Sequence, residues 1–401
     1  MEADILQTID PRDLGRRLQE ARKARGFTQA DVAGRLAMAR TTVTAIEKGE
    51  RQVQPAELIQ FATLFGRSVN DLLRRSTPAE SFVVQFRSLT TEDGTVEATV
   101  DPVVWEFQRL CADYLELESV CKAPLPRKYP PEYDFEGATP EQVAEDIAGA
   151  ERNRLGLGDA PILNLREMLE TTVGLRVFSL AMPSRVGAMF AFTEELGGCI
   201  AVNRNHPPER RRTSEAHEYG HFLTRRFQSE VLMERRYERV PAHERFANAF
   251  ARSFLMPLPG LTRLFHERKR SRKGNFNVAD LCTLAHHYFV SVEAMARRLE
   301  ELQLLSSGTW DTLVLAGMRV REAQKALGLP AQEEDDQLLP ARYTYLALEA
   351  FLVLEELTEK QFADFLRVDR LESRKIAQDF GDLLDVSLGE LSRETPTGGR
   401  V

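Results

Sequence analysis

Cysteine is scarce, with Cys111, Cys121, Cys199 and Cys282 the only four in 401 residues. No two share a C-x-x-C spacing, which argues against a zinc knuckle and a disulfide framework and predicts reduced, mostly buried thiols. Long apolar runs are also missing. No stretch approaches the ~18 residues that span a bilayer, and Met1 to Asp10 has neither a basic n-region nor an apolar h-region. The expectation is a cytoplasmic chain with no membrane partner.

What is present fits an ordinary globular protein of two or three domains, 43% hydrophobic and 28% charged. The net charge of −8 is uneven: residues 1–75 hold 13 Lys/Arg against 10 Asp/Glu, and the rest 40 against 51. The slightly basic start is weak support for a nucleic-acid partner on its own.

From Leu14 to Leu73 apolar residues recur at helical spacing (Leu14, Leu18; Val32, Leu36; Val43, Ile46; Leu58, Phe61, Leu64, Phe65), broken by Gly26, Gly49 and Pro55. Five short helices are expected, in a domain spanning 10–76. A small polar stretch, Ser76 to Ala79, suits a linker. The region 77–138 carries an alternating segment (Phe82, Val84, Phe86) and a helix around Trp105 to Leu117, and its sequence assigns it no role. The next domain, 139–305, mixes helices with strands at Leu175 to Ser179, Ala188 to Thr193 and Cys199 to Asn203, the last two linked by Gly197-Gly198. An acidic run, Glu333 to Asp336, marks a loop in a helical C-terminal region, 306–401. There, Leu357 to Arg370 aligns with Phe27 to Arg40, as either a generic helical hairpin capped by Thr358 or a second helix-turn-helix unit.

His217-Glu218-Tyr219-Gly220-His221 fits H-E-x-x-H. Residues four apart share one helix face, so two imidazoles can hold one ion. Glu218 lies about 100° further round the helix, where it reaches a water on the ion without ligating it. A third ligand must come from another element. Glu244 is the best candidate, at the start of a helix that returns after 22 intervening residues. Asn248, one turn on, is placed to accept a hydrogen bond from a ligand histidine, or else is a surface amide. Zinc is the expected ion, with manganese as the alternative, and Glu218 is the expected general base for peptide hydrolysis. The strand Cys199 to Asn203, just before the metal helix, is the expected edge for pairing an extended substrate. Among Tyr237, His286, His287 and Tyr288 no sequence feature selects an oxyanion donor.

Residues Thr139 to Leu305 resemble the ImmA/IrrE family of metallo-endopeptidases. The resemblance is carried by Pro161-Ile162, Leu169-Glu170 and Gly174 to Val177, by Thr213 to Ala216 leading into the metal helix, by Glu244 through Phe250-Ala251 to Leu255-Met256-Pro257, and by Val290-Ser291 with Arg298-Leu299. It implies that His217, His221 and Glu244 bind zinc and that Glu218 is catalytic. Tyr219 departs from the family, which usually has a smaller aliphatic residue there.

Thr28-Gln29, Ala33, Leu36 and Glu47-x-Gly49 resemble the XRE/Cro-like helix-turn-helix family over the whole of Leu14 to Leu73. By that resemblance Gln29 meets a DNA phosphate, while Arg40, Thr41 and Thr42 open the recognition helix, with Arg40 reading a guanine. Glu47 is expected to be structural, paired with Arg22. The fold class implied is mainly α with a small β-sheet (α+β): a five-helix DNA-binding domain, a zincin-like peptidase domain and a helical C-terminal region. The first functional reading is a DNA-binding zinc metallo-endopeptidase that cleaves a protein partner such as a helix-turn-helix repressor, controls stress or mobile-element genes, and acts as a homodimer. The alternatives are a regulator whose peptidase-like domain only senses, and a toxin-antitoxin component.

Overall fold

The computed structural model describes residues 10–24, 27–65, 69–73, 97–134, 139–227, 230–233, 240–330 and 337–391. It divides into two compact units, Met1–Glu80 and Ser81–Val401. The fold is mainly α with one small sheet. The alternating segment at 82–86, Tyr237 and the acidic run at 333–336 lie outside the described residues.

The first unit holds α1 (Pro11–Ala24), α2 (Gln29–Arg35), α3 (Arg40–Glu47), α4 (Pro55–Phe65) and α5 (Val69–Leu73). Their apolar faces meet in one core that includes Leu14, Leu18, Val32, Val43, Ile46, Phe61 and Leu72. Thr28 starts α2 with a capping box: its hydroxyl accepts from the Asp31 N–H at 3.1 Å, and Asp31 accepts from the Thr28 N–H at 2.7 Å. Such a cap contributes about 1 kcal/mol. Gly15 lets α1 pass directly over the end of α3, since a Cβ there would stand 2.3 Å from the Ile46 carbonyl oxygen.

The second unit is built on a sheet of β1 (Arg176–Leu180), β2 (Val186–Thr193), β3 (Gly197–Asn203) and β4 (Glu230–Met233), in the order β1-β3-β2-β4. β1 and β3 are parallel, and the other pairings are antiparallel. The strand Cys199 to Asn203 is therefore interior, with β1 on one side and β2 on the other, and its edge is not available to a substrate. That corrects the expectation drawn from its position in the sequence.

Both faces of β1 and β3 are buried, so the period-2 alternation divides their side chains between two cores. Val177, Ile200 and Val202 join Phe190 in a core with Phe222, Phe246 and Phe250 from α9 (Pro208–Arg225) and α10 (Ala242–Leu255). Phe178 points the other way. Its ring meets Phe107 and Tyr114 of α6 (Glu97–Val120) edge-on at 6.1 and 6.2 Å, and Tyr343 of α16 (Ala341–Leu348) at 6.5 Å. Within the region to which the sequence assigned no role, α6 thus packs on the second face of the sheet.

The remaining helices are α7 (Pro140–Arg154), α8 (Leu165–Met168), α11 (Leu258–Ser271), α12 (Val278–His287), α13 (Val292–Glu301), α14 (Thr309–Leu315), α15 (Val320–Ala326), α17 (Glu359–Leu366) and α18 (Arg370–Leu391). The segment that aligns with the N-terminal motif repeats its local geometry. Thr358 caps α17 with a capping box, Arg367 has φ 60° where Ala37 has φ 53°, and Arg370 opens α18 as Arg40 opens α3.

Candidate metal centre and DNA-binding unit

α9 carries His217 and His221 one turn apart, buried to 2% and 1% exposure, with Glu218 fully buried beside them. Bringing a third group to them requires a second helix at short range. Gly220 permits it, because a Cβ at that position would lie 3.3 Å from the Ala247 Cα and 3.1 Å from a Phe250 ring carbon. α10 crosses there and delivers Glu244. The Nε2 atoms of His217 and His221 are 2.9 Å apart, and the Glu244 carboxylate lies 3.5 Å from the first and 3.7 Å from the second. Among the described residues this is the group of His, Cys, Asp or Glu arranged to hold a metal ion, its three ligand atoms lying within 4.8 Å of one another.

Asn248 follows Glu244 by one turn, and its Oδ1 lies 3.1 Å from His217 Nδ1. With Nδ1–H donated to that oxygen, the lone pair of His217 sits on Nε2 and faces the shared space. Two nitrogens and one carboxylate form a donor set that suits zinc better than an oxygen-preferring ion.

Tyr219 faces away from this space and ties α9 to α7. Its hydroxyl donates to Glu151 Oε2 and accepts from Arg154 Nη2 at 3.1 Å, while Tyr133 donates to Glu151 Oε1 at 2.9 Å. Glu151 is fully buried, and hydrogen bonds from Tyr219, Tyr133 and Arg154 spread its charge. Burial, then the Glu151 charge, pushes the Tyr219 hydroxyl well above the usual phenol range, so it stays protonated and donates. α7 is also held to α10 and α13 through Glu145, which accepts from Ser253 at 2.7 Å and from Arg298 at 2.6 Å.

His243 is the neighbour that sequence reasoning missed. Its ring centroid is 6.0 Å from that of His221, its Nε2 lies 4.0 Å from Glu244, and it is 29% exposed. Its position next to Glu244 in the chain was the available signal. The described residues among the oxyanion candidates sit elsewhere. Tyr288 packs against Gly260 near Asp159, His286 lines a separate cleft, and His287 is exposed.

In the first unit, Arg40 and Thr41 are exposed and Thr42 half-buried on the first turn of α3. Glu47 is buried and accepts from Arg22 at 2.5 and 3.0 Å and from Gln29 Nε2 at 2.8 Å. The Gln29 carbonyl oxygen in turn accepts from Thr44 at 3.0 Å. The Gln29 side-chain amide is thus engaged within the protein, holding the start of α2 to α3.

Comparison with known families agrees with this division. Residues 170–300 match the peptidase family described as the IrrE N-terminal-like domain, and residues 13–75 match a helix-turn-helix domain. The chain carries an XRE-like helix-turn-helix domain and an ImmA/IrrE-like peptidase domain. No curated protein matches it. No helix among the described residues is long and apolar enough to cross a membrane.

Proposed function

We propose that the chain is a DNA-binding metallo-endopeptidase that cleaves a protein partner, such as a transcriptional repressor, and so couples proteolysis to gene control. The observation that carries this reading is the convergence of His217, His221 and Glu244 beside a buried Glu218. His217, His221 and Glu244 would hold the ion, zinc first and manganese second, and Asn248 would fix the His217 tautomer. When bound, such an ion polarises a carbonyl and lowers the pKa of a water to about 7.

Glu218 is the general base, taking a proton from the attacking water and passing it to the leaving amine. Its burial strengthens each electrostatic interaction it makes. His243, partly exposed beside His221 and Glu244, would stabilise charge on the carbonyl oxygen. The substrate would align on β4. That strand pairs only with β2 among the described residues, so its other edge offers main-chain groups to an extended peptide.

At the other end of the chain, Arg40, Thr41 and Thr42 would read bases and Gln29 a phosphate. A homodimer would supply two half-site readers. The test is Glu218→Gln beside wild type, with metal content by elemental analysis and partner proteins captured from cells. Metal retained in both, with a partner intact on the variant and cleaved by wild type, is expected. A partner cleaved equally by the variant, or no metal in wild type, would sink the reading.

A further inference from the structure

The start of α9 opens into a second cleft, on the second unit alone, of about 940 Å³. That is the size of a small-molecule site, typically ~300–1,000 Å³. Its walls come from the turn before α9 and from α15, and among the described residues carry Arg204, Arg211, Arg321 and Lys325 against one acid, Glu209. Arg204, Arg321 and Lys325 make no ion pair among the described residues. Arg211 is different: it is 6% exposed, so a charge is held inside the wall.

Two further features point to a ligand. Pro207 occupies the N-cap of α9, and no side chain caps this 18-residue helix, whose N-terminus favours negative charge. His206 lines the cleft at 7% exposure, with Nε2 2.9 Å from the Ser184 carbonyl and a buried Nδ1 that has no hydrogen-bond partner among the described residues. With Nε2–H given to that carbonyl, Nδ1 is left as a buried acceptor in the cleft wall. A phosphate ester can meet the cations with its phosphate and fill more of the cleft than inorganic phosphate does.

We propose that this cleft binds a phosphate-bearing small molecule of nucleotide size. The concave shape favours such a ligand over the rod of a DNA duplex. The site does not depend on the peptidase reading, though both use α9: the cleft sits at its first turn, and the ligand histidines lie on its third and fourth.

The test uses the full chain and ADP without added metal, with inorganic phosphate for comparison, by titration calorimetry at about 0.15 M ionic strength. The variant is Arg321→Glu with Lys325→Glu. Both positions are exposed on α15, so the core is untouched. ADP is expected to bind wild type more tightly than phosphate does, and the double variant at least ~10-fold more weakly, the loss expected of charge-assisted contacts. The same ADP affinity in His217→Ala would separate this cleft from the metal centre.

Equal binding of ADP by wild type and double variant would overturn the proposal, as would ADP and phosphate binding alike, the mark of an adventitious ion only. Loss of ADP binding in His217→Ala would reassign the signal to the metal centre. Duplex DNA affinity lost in the double variant, with no ADP binding by wild type, would make the cleft a DNA-backbone contact.

Discussion

Asn248 Oδ1 stands 3.1 Å from His217 Nδ1, one helical turn beyond Glu244, so a single helix face supplies both a candidate ligand and the group that orients another. Asn248→Ala removes the acceptor without touching the three converging atoms. Metal affinity is expected to fall about 10- to 100-fold, the usual cost of losing such a partner. Competition against a chromogenic chelator measures it, and unchanged affinity would show that His217 needs no outside help.

Tyr219→Phe keeps the ring contacts with Phe250 and Phe254 at 5.8 and 5.6 Å but deletes the hydroxyl that donates to Glu151. Glu151 stays buried with fewer donors, so a loss of about 1–3 kcal/mol is expected. Denaturant melts of the second unit measure it. A neutral result would mean that Arg154 and Tyr133 suffice.

Gly220→Val places a branched side chain where the Ala247 Cα would be 3.3 Å from the new Cβ. α10 must then move off α9, carrying Glu244 and Asn248 with it. Metal binding is expected to fall at least ~10-fold while the helix-turn-helix unit, which has its own core, keeps its DNA affinity.

Glu47 gives the first unit a pH signature. Burial alone would raise its carboxyl, but hydrogen bonds from Arg22 and Gln29, with the Arg22 charge, outweigh this and hold it below the ordinary value of 4.5. Because the folded value is the lower one, the stabilisation is fully present above the ordinary value and is lost as pH falls through the folded value. The thermal transition of the first unit should weaken on acidification below about pH 4.5, with a smaller slope in Glu47→Gln. Equal slopes in the two proteins would assign the acid sensitivity to other carboxylates.

Arg40→Ala removes an exposed side chain from the first turn of α3 and should leave folding within ~0.5 kcal/mol of wild type. Specific DNA binding is expected to weaken by about 1–3 kcal/mol, with preference relaxed at one base position. Selection from a random duplex library before and after the substitution reads both effects.

The metal helix and the helix-turn-helix unit were legible because their signals are local. A four-residue spacing puts His217 above His221, and Thr28 ahead of a run of helix formers marks an N-cap, which the structure completes with Asp31. The pairing of Glu47 with Arg22 was legible too, through resemblance. Strand order was not. The parallel neighbour of β3 is β1, which lies beyond β2 in the chain, and alternation of side chains says nothing about which strand sits in the middle. β4 has only four residues, too few for a clear period, and α11 passed unnoticed because Pro259, Gly260 and its late run of cations blur its apolar face. His243 belongs to no spacing rule; adjacency to Glu244 was its one signal, and its place beside His221 comes from the crossing of α9 and α10.

Phe178 has a consequence for dissecting the protein. It turns away from the metal helix and spends its surface on α6 and α16, which lie on either side of the 170–300 span shared with other proteins. A fragment trimmed to that span would also lose α7, the anchor of Tyr219, and would present a bare aromatic face to water. Such a piece is expected to clump when expressed alone. The shortest stretch able to stand by itself is therefore longer than the stretch inherited in common.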